Sequence, residues 1–138
     1  MRWGPVAIAG VVVAVVVAVY FGLGKGPEDV RQGAPIVAVT VPELGTTERA
    51  GEAAYNKNCA SCHGADAAGQ DGVAPPLRAP HLRAGHHGDQ AFLVAAQVGA
   101  RAHHWSFGNM PPVEGVAAED IGLIVDYVRG LKRANGTE

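Results

Sequence analysis

The chain has 138 residues, 48% of them hydrophobic and 17% charged, with a formal net charge of −2. That balance lacks the cationic surplus a nucleic-acid binder needs, and two cysteines exclude both a disulfide scaffold and a four-cysteine zinc site. With 19 glycines, 9 prolines and only 6% aromatics, a conventional core would be thin, so something other than side chains is expected to fill it.

The first element is apolar throughout. From Trp3 to Gly24 no residue carries a charge, and Val6 to Leu23 reads VAIAGVVVAVVVAVYFGL. As a helix this stretch is ~33 Å long, enough to cross a hydrocarbon core. Trp3, Tyr20 and Phe21 stand where interfacial aromatics belong. Arg2 precedes the stretch, whereas Lys25, Glu28, Asp29 and Arg31 beyond it cancel. Residues 1–24 are therefore expected to be a transmembrane signal-anchor, with the N-terminus cytoplasmic and the following domain on the periplasmic side. The competing reading is a cleaved signal peptide, for which Gly22-Leu23-Gly24 offers a small-x-small site.

Residues 25–46 contain Pro27, Pro35 and Pro42 with Gly26, Gly33 and Gly45, and read as a linker. Within it Ile36 to Val41 could be extended, but no partner strand is evident. Residues 47–138 are expected to form the functional domain. Thr46 or Thr47 would cap a helix running to about Asn58, with Glu48 favouring the dipole in its first turn. A loop rich in glycine and proline follows, from Gly64 to Gly88. Asp89 would cap a second helix, Gln90 to Val98, closed by Gly99. The last helix, about Ala118 to Arg133, carries one apolar stripe of Ile121, Ile124, Val125, Val128 and Leu131. The fold class is all-α, with three to four helices and long loops.

Cys59-Ala60-Ser61-Cys62-His63 is a C-x-x-C-H motif. Two thiols at this spacing can add to the two vinyl groups of one haem, and the adjacent imidazole can lie under the iron. A thioredoxin-like dithiol would want a preceding strand and a βαβ setting, and zinc would want a second matched pair of ligands. Neither is present. A thioether is a soft ligand suited to iron, and Met110 is the single methionine besides Met1. It follows His63 by 47 residues, enough chain to reach the other face of a haem.

From about Thr47 to Arg133 the chain resembles the small monohaem class I c-type cytochromes. The resemblance rests on Gly51–Tyr55 (GEAAY), CASCH, Ala74–Leu77 (APPL), Gly108–Pro112 (GNMPP) and Asp126–Arg129 (DYVR). It implies one covalent haem c on Cys59 and Cys62, with His63 and Met110 as the axial iron ligands. It also implies that the Pro75 carbonyl accepts the His63 Nδ1 hydrogen, although the family usually has glycine where this chain has Ala74. Gly51 and Tyr127 match a close crossing of the first and last helices. Tyr55 and Trp105 are expected to pack on or near the haem, Trp105 with an indole N–H able to reach a propionate, and Asn109 to stand beside the ligand. His81, His86, His87, His103 and His104 read as loop surface near the haem edge, with a second metal site as the alternative.

The expected function is one-electron transfer in a respiratory or photosynthetic chain rather than catalysis, because iron with six ligands has no position left for a substrate. Partners would be membrane redox complexes: a quinol-oxidising donor, and a terminal oxidase or reaction centre as acceptor. The lipid bilayer would hold the anchor. A fixed haem subunit of a larger membrane oxidoreductase is the alternative, and a haem sensor or enzyme a more distant one.

Overall fold

The structure is a computed structural model that describes residues 33–78, 88–103 and 105–137. The apolar segment expected to be an anchor, and His81, His86, His87 and His104, lie outside the described residues. Among the described residues no helix is long and apolar enough to cross a membrane.

The described part is mostly helical, with four α-helices and one 3-10 turn: α1 (Thr46–Asn58), α2 (Ala60–His63), the 3-10 turn (Ala65–Ala67), α3 (Asp89–Val98) and α4 (Ala118–Ala134). The bounds of α1, α3 and α4 fall within a residue or two of those expected, α2 and the 3-10 turn were not expected, and two caps differ. Helix α1 is capped at Gly45, whose N–H donates to Glu48 Oε2 at 2.9 Å. A carboxylate three residues into the helix reaches back to the free amide, and neither threonine is needed as the cap. Helix α3 begins one residue early, capped at Gly88. Asp89 instead accepts from Arg129 Nη2 (2.9 Å) and Nε (3.1 Å), which ties α3 to α4. The Arg129 guanidinium also lies over the Phe92 ring, 5.4 Å from its centroid.

Helix α4 is the spine. All five stripe residues are buried, and so are Tyr127 and Gly130 on other faces, because α1 and α3 both pack against it. The α1–α4 crossing is close at Gly51. A Cβ there would lie 2.9 Å from both the Leu123 carbonyl carbon and Tyr127 Cβ. The core is Leu44, Tyr55, Ala67, Ile124, Tyr127, Val128 and Leu131.

Residues 33–45 are not a free linker. Val37 N–H donates to the Ala68 carbonyl (3.2 Å), and the Ala34 carbonyl accepts from Asp71 N–H (3.0 Å). Arg78 Nη2 donates to the Ala38 carbonyl at 2.7 Å. The Asn135 amide closes a two-way pair with the Thr40 backbone, at 2.9 and 2.8 Å. Leu44 belongs to the core and Val39 packs against it. In place of a partner strand, the loop backbone at Ala68 and Asp71 and the side chains of Arg78 and Asn135 pair with it. Deleting residues 33–42 is therefore expected to lower the midpoint of thermal unfolding, since buried contacts go with the hydrogen bonds. An unchanged midpoint would mean that the segment is a passive leader.

Candidate functional site

Cys59 ends α1 and starts α2. Its N–H donates to the Tyr55 carbonyl (2.8 Å), and its own carbonyl accepts from Cys62 (3.2 Å) and His63 (2.9 Å). One tight turn thus brings Cys59, Cys62 and His63 to neighbouring positions at i, i+3 and i+4. Both thiols are free; Cys62 is exposed and Cys59 partly buried. Burial, and secondarily Cys62, push the Cys59 thiol up to about 11, so it stays protonated at neutral pH.

His63 is buried, and its Nδ1 lies 2.8 Å from the Pro75 carbonyl oxygen. A carbonyl only accepts, so Nδ1 carries the hydrogen and Nε2 keeps the lone pair. Burial holds the imidazole below its ordinary pKa, against a smaller opposing effect of the Pro75 bond. At neutral pH the ring is therefore neutral, the form that ligates a metal. Pro75 is held by a short loop: Gly69 N–H donates to the His63 carbonyl (2.7 Å), and Gln70 and Ala74 exchange both backbone bonds (2.9 and 3.1 Å). Ala74 is not among the residues with positive φ, so this turn works without a glycine before Pro75.

A cavity of about 540 Å³ opens beside these groups, a size ordinary for a bound organic cofactor. Cys59, Cys62, His63 and Pro75 form part of its wall. Phe92, Val94 and Ala95 of α3 form another, and residues 99–103, 105 and 107–113 complete it. Met110 is in this last group. Its backbone exchanges two hydrogen bonds with Ala100 (3.0 and 2.8 Å), and Asn109 Oδ1 accepts from Ala102 N–H at 3.0 Å. Gly99 turns with a φ of 82° where a Cβ would crowd the Met110 carbonyl.

Trp105 lines the cavity and stacks on Phe107, with centroids 5.7 Å apart and planes 17° from parallel. Tyr55 does not line it. It stands behind the motif, fully buried, its hydroxyl donating to the Gly64 carbonyl at 2.6 Å and its ring 5.5 Å from that of Tyr127. Tyr127 in turn donates to Asp66 Oδ1 at 3.0 Å, across a loop where Asp66 and Ala67 are left-handed (φ 52° and 58°). Burial raises both phenol pKa values, so both hydroxyls keep the hydrogens they donate. Tyr127→Phe is expected to cost about 1 kcal/mol in chemical denaturation, the net value of one hydrogen bond. A cost near zero would show that Asp66 holds the loop alone.

His103 is exposed at the cavity wall, with Nδ1 2.8 Å from the Arg101 carbonyl oxygen. Among the described residues no group of three or more His, Cys, Asp or Glu side chains could hold a metal ion. The wall residues Phe92, Phe107 and Asn58 were not expected from the sequence. Phe92 had a signal, an aromatic on a short helix already placed between two loops.

The sequence model of the cytochrome c family matches residues 48–132. The chain belongs to the cytochrome c family. Neither the curated proteins nor the solved structures give a significant match. A cytochrome c domain carries haem c, covalently bound and with its iron, and is typically an electron carrier. The residues present fit that group. Two cysteines with free thiols and a histidine with a neutral ring line one largely apolar cavity of suitable volume. The thin side-chain core is thereby explained, since a cytochrome c completes its interior with haem.

Proposed function

We propose that this cytochrome c is a one-electron carrier with a single haem, joined to Cys59 and Cys62 and ligated by His63 and Met110. The observation that carries this reading is the shared cavity: Cys59, Cys62, His63 and Met110 all line it. When bound, the haem supplies a one-electron iron couple. The chain's own residues do the rest. Cys59 and Cys62 fix the group in place, and Pro75 orients His63 and increases its basicity by accepting the Nδ1 hydrogen. Phe92, Val94, Trp105 and Phe107 give the cavity an apolar wall, and the Ala100 pairing holds the Met110 loop.

The test is covalent attachment. Intact mass should exceed the chain mass by one haem, and the haem should survive extraction with acidified organic solvent. Cys59→Ala or Cys62→Ala should leave at most one thioether. Complete extraction of the haem from the unmutated protein would refute the reading.

On the same reading, residues 1–24 anchor the carrier in the cell membrane with the haem domain outside the cytoplasm. Donor and acceptor are membrane redox complexes, a quinol-oxidising complex and a terminal oxidase or reaction centre. The length of the apolar stretch and the position of Arg2 support this. With residues 33–45 docked on the domain, the chain left to act as a tether is 25–32, which spans at most ~28 Å when extended. Mass spectrometry of the native N-terminus is expected to find the apolar segment retained. A chain beginning near Lys25 would make the carrier soluble.

A further inference from the structure

Helix α2 has only four residues, so most of its carbonyls find no partner within it. The Ala60 carbonyl accepts from Gly64 N–H (2.9 Å) and the His63 carbonyl from Gly69 N–H (2.7 Å). A side chain from the following loop adds a second bond at Ala60 and serves Ser61. Gln70 Nε2 donates to the Ala60 carbonyl at 3.1 Å and to the Ser61 carbonyl at 3.0 Å. Both partners are acceptors, so the nitrogen must face them. Gln70 is 2% exposed, and its Oε1 is buried with no partner among the described residues. An amide stands here despite that orphaned acceptor, where an apolar side chain would avoid it.

The backbone of Gln70 leads to the other half of the site. It pairs in both directions with Ala74, the neighbour of Pro75, and the Pro75 carbonyl takes the His63 Nδ1 hydrogen. A closed circuit results. It runs from His63 to Pro75, from Ala74 to Gln70, and from the Gln70 side chain back to the turn that carries both cysteines and His63. Cutting the circuit at Gln70 frees the cysteine turn to shift against the Pro75 loop.

We propose that Gln70 is a positioning residue for the haem ligand, its side-chain amide fixing the distance between the CASCH turn and the carbonyl that orients His63. This rests on the haem reading above. A weaker Nδ1 hydrogen bond makes the imidazole less basic, stabilises ferric iron less and so raises the reduction potential.

The experiment uses the full haem-loaded chain, with Gln70→Leu and Gln70→Glu. Leucine keeps the volume and removes the orphaned oxygen with the donor; glutamate keeps the shape without the amide donor. Gln70→Leu should have a higher potential than the unmutated protein; Gln70→Glu brings a charge that itself lowers the potential, so that variant is read by exchange. In the reduced state the His63 Nδ1 hydrogen of both variants should exchange about tenfold faster by NMR, as expected for the loss of roughly one net hydrogen bond. A Gln70→Leu protein with lower thermal stability but unchanged potential and exchange would overturn the proposal and leave Gln70 a packing residue. If neither variant accumulates, the Gln70 side-chain amide hydrogens of the unmutated protein decide. Slow exchange supports the clamp, and exchange at the rate of a free amide overturns it. Intact mass of the unmutated protein is read first. No attached haem would sink the haem reading and the proposal together, whereas attached haem with silent variants would sink the proposal alone.

Discussion

Met110→Ala is expected to open the iron of the reduced protein to carbon monoxide, which the unmutated protein should bind poorly. The oxidised variant should lose the weak far-red band that arises from sulfur-to-iron charge transfer. Its potential should fall, because methionine with histidine sets a higher potential than histidine alone. The variant is a fair test because the loop does not depend on the side chain it loses. The Ala100 pairing holds residue 110 through its backbone, and Asn109 holds Ala102 independently. The cavity wall should therefore survive, and the changes can be read as loss of one ligand. Ready carbon monoxide binding by the unmutated protein would leave the sixth position open and favour a sensor or an enzyme. Persistence of the far-red band after the substitution would exclude Met110 as its source.

The site was legible in the sequence where chemistry dictates spacing. Two thiols and an imidazole that must share one turn can only be three and four residues apart, and no other arrangement of those residue types occurs in the chain. The α4 stripe was legible for a similar reason, since a helix with one buried face repeats every 3.6 residues. What could not be read were contacts between residues with no common pattern. Thr40 and Asn135 are 95 positions apart, and nothing in Ile36 to Val41 announces that loop carbonyls will serve in place of a strand. The cap of α1 was misread because Thr46 and Thr47 are good caps in isolation, whereas Glu48 competes from inside the helix. Tyr55 shows a further limit. Its burial was foreseeable, but whether an aromatic lines a cofactor cavity or braces the loop behind it depends on which face of α1 meets α4. Gln70 carried no signal, because an amide in a loop is unremarkable until its two bonds to the cysteine turn are seen.

The α1–α4 crossing sets that face, and Gly51→Ala should cost about 3 kcal/mol in chemical denaturation, with Gly51→Val costing more. Two effects oppose each other. Alanine in place of a helical glycine gains about 1 kcal/mol of intrinsic propensity. Against this, the new Cβ would meet the Leu123 carbonyl, which is backbone and cannot rotate away, and Tyr127 Cβ at 2.9 Å. Only separation of the helices relieves the overlap, so the clash decides the sign. The damage should reach the haem site, because Tyr55 lies one turn on from Gly51. Moving α1 draws the Tyr55 ring from Tyr127 and its hydroxyl from the Gly64 carbonyl, just after His63. Haem-loaded protein should therefore accumulate less for both variants. Gly122 provides the control. It is exposed in α4 and has no atom within 4 Å of an added Cβ. Gly122→Ala should thus stabilise the protein by ~0.5–1 kcal/mol through propensity alone. If Gly51→Ala proved as harmless as Gly122→Ala, the close crossing would not be what holds α1 and the cysteine turn in place.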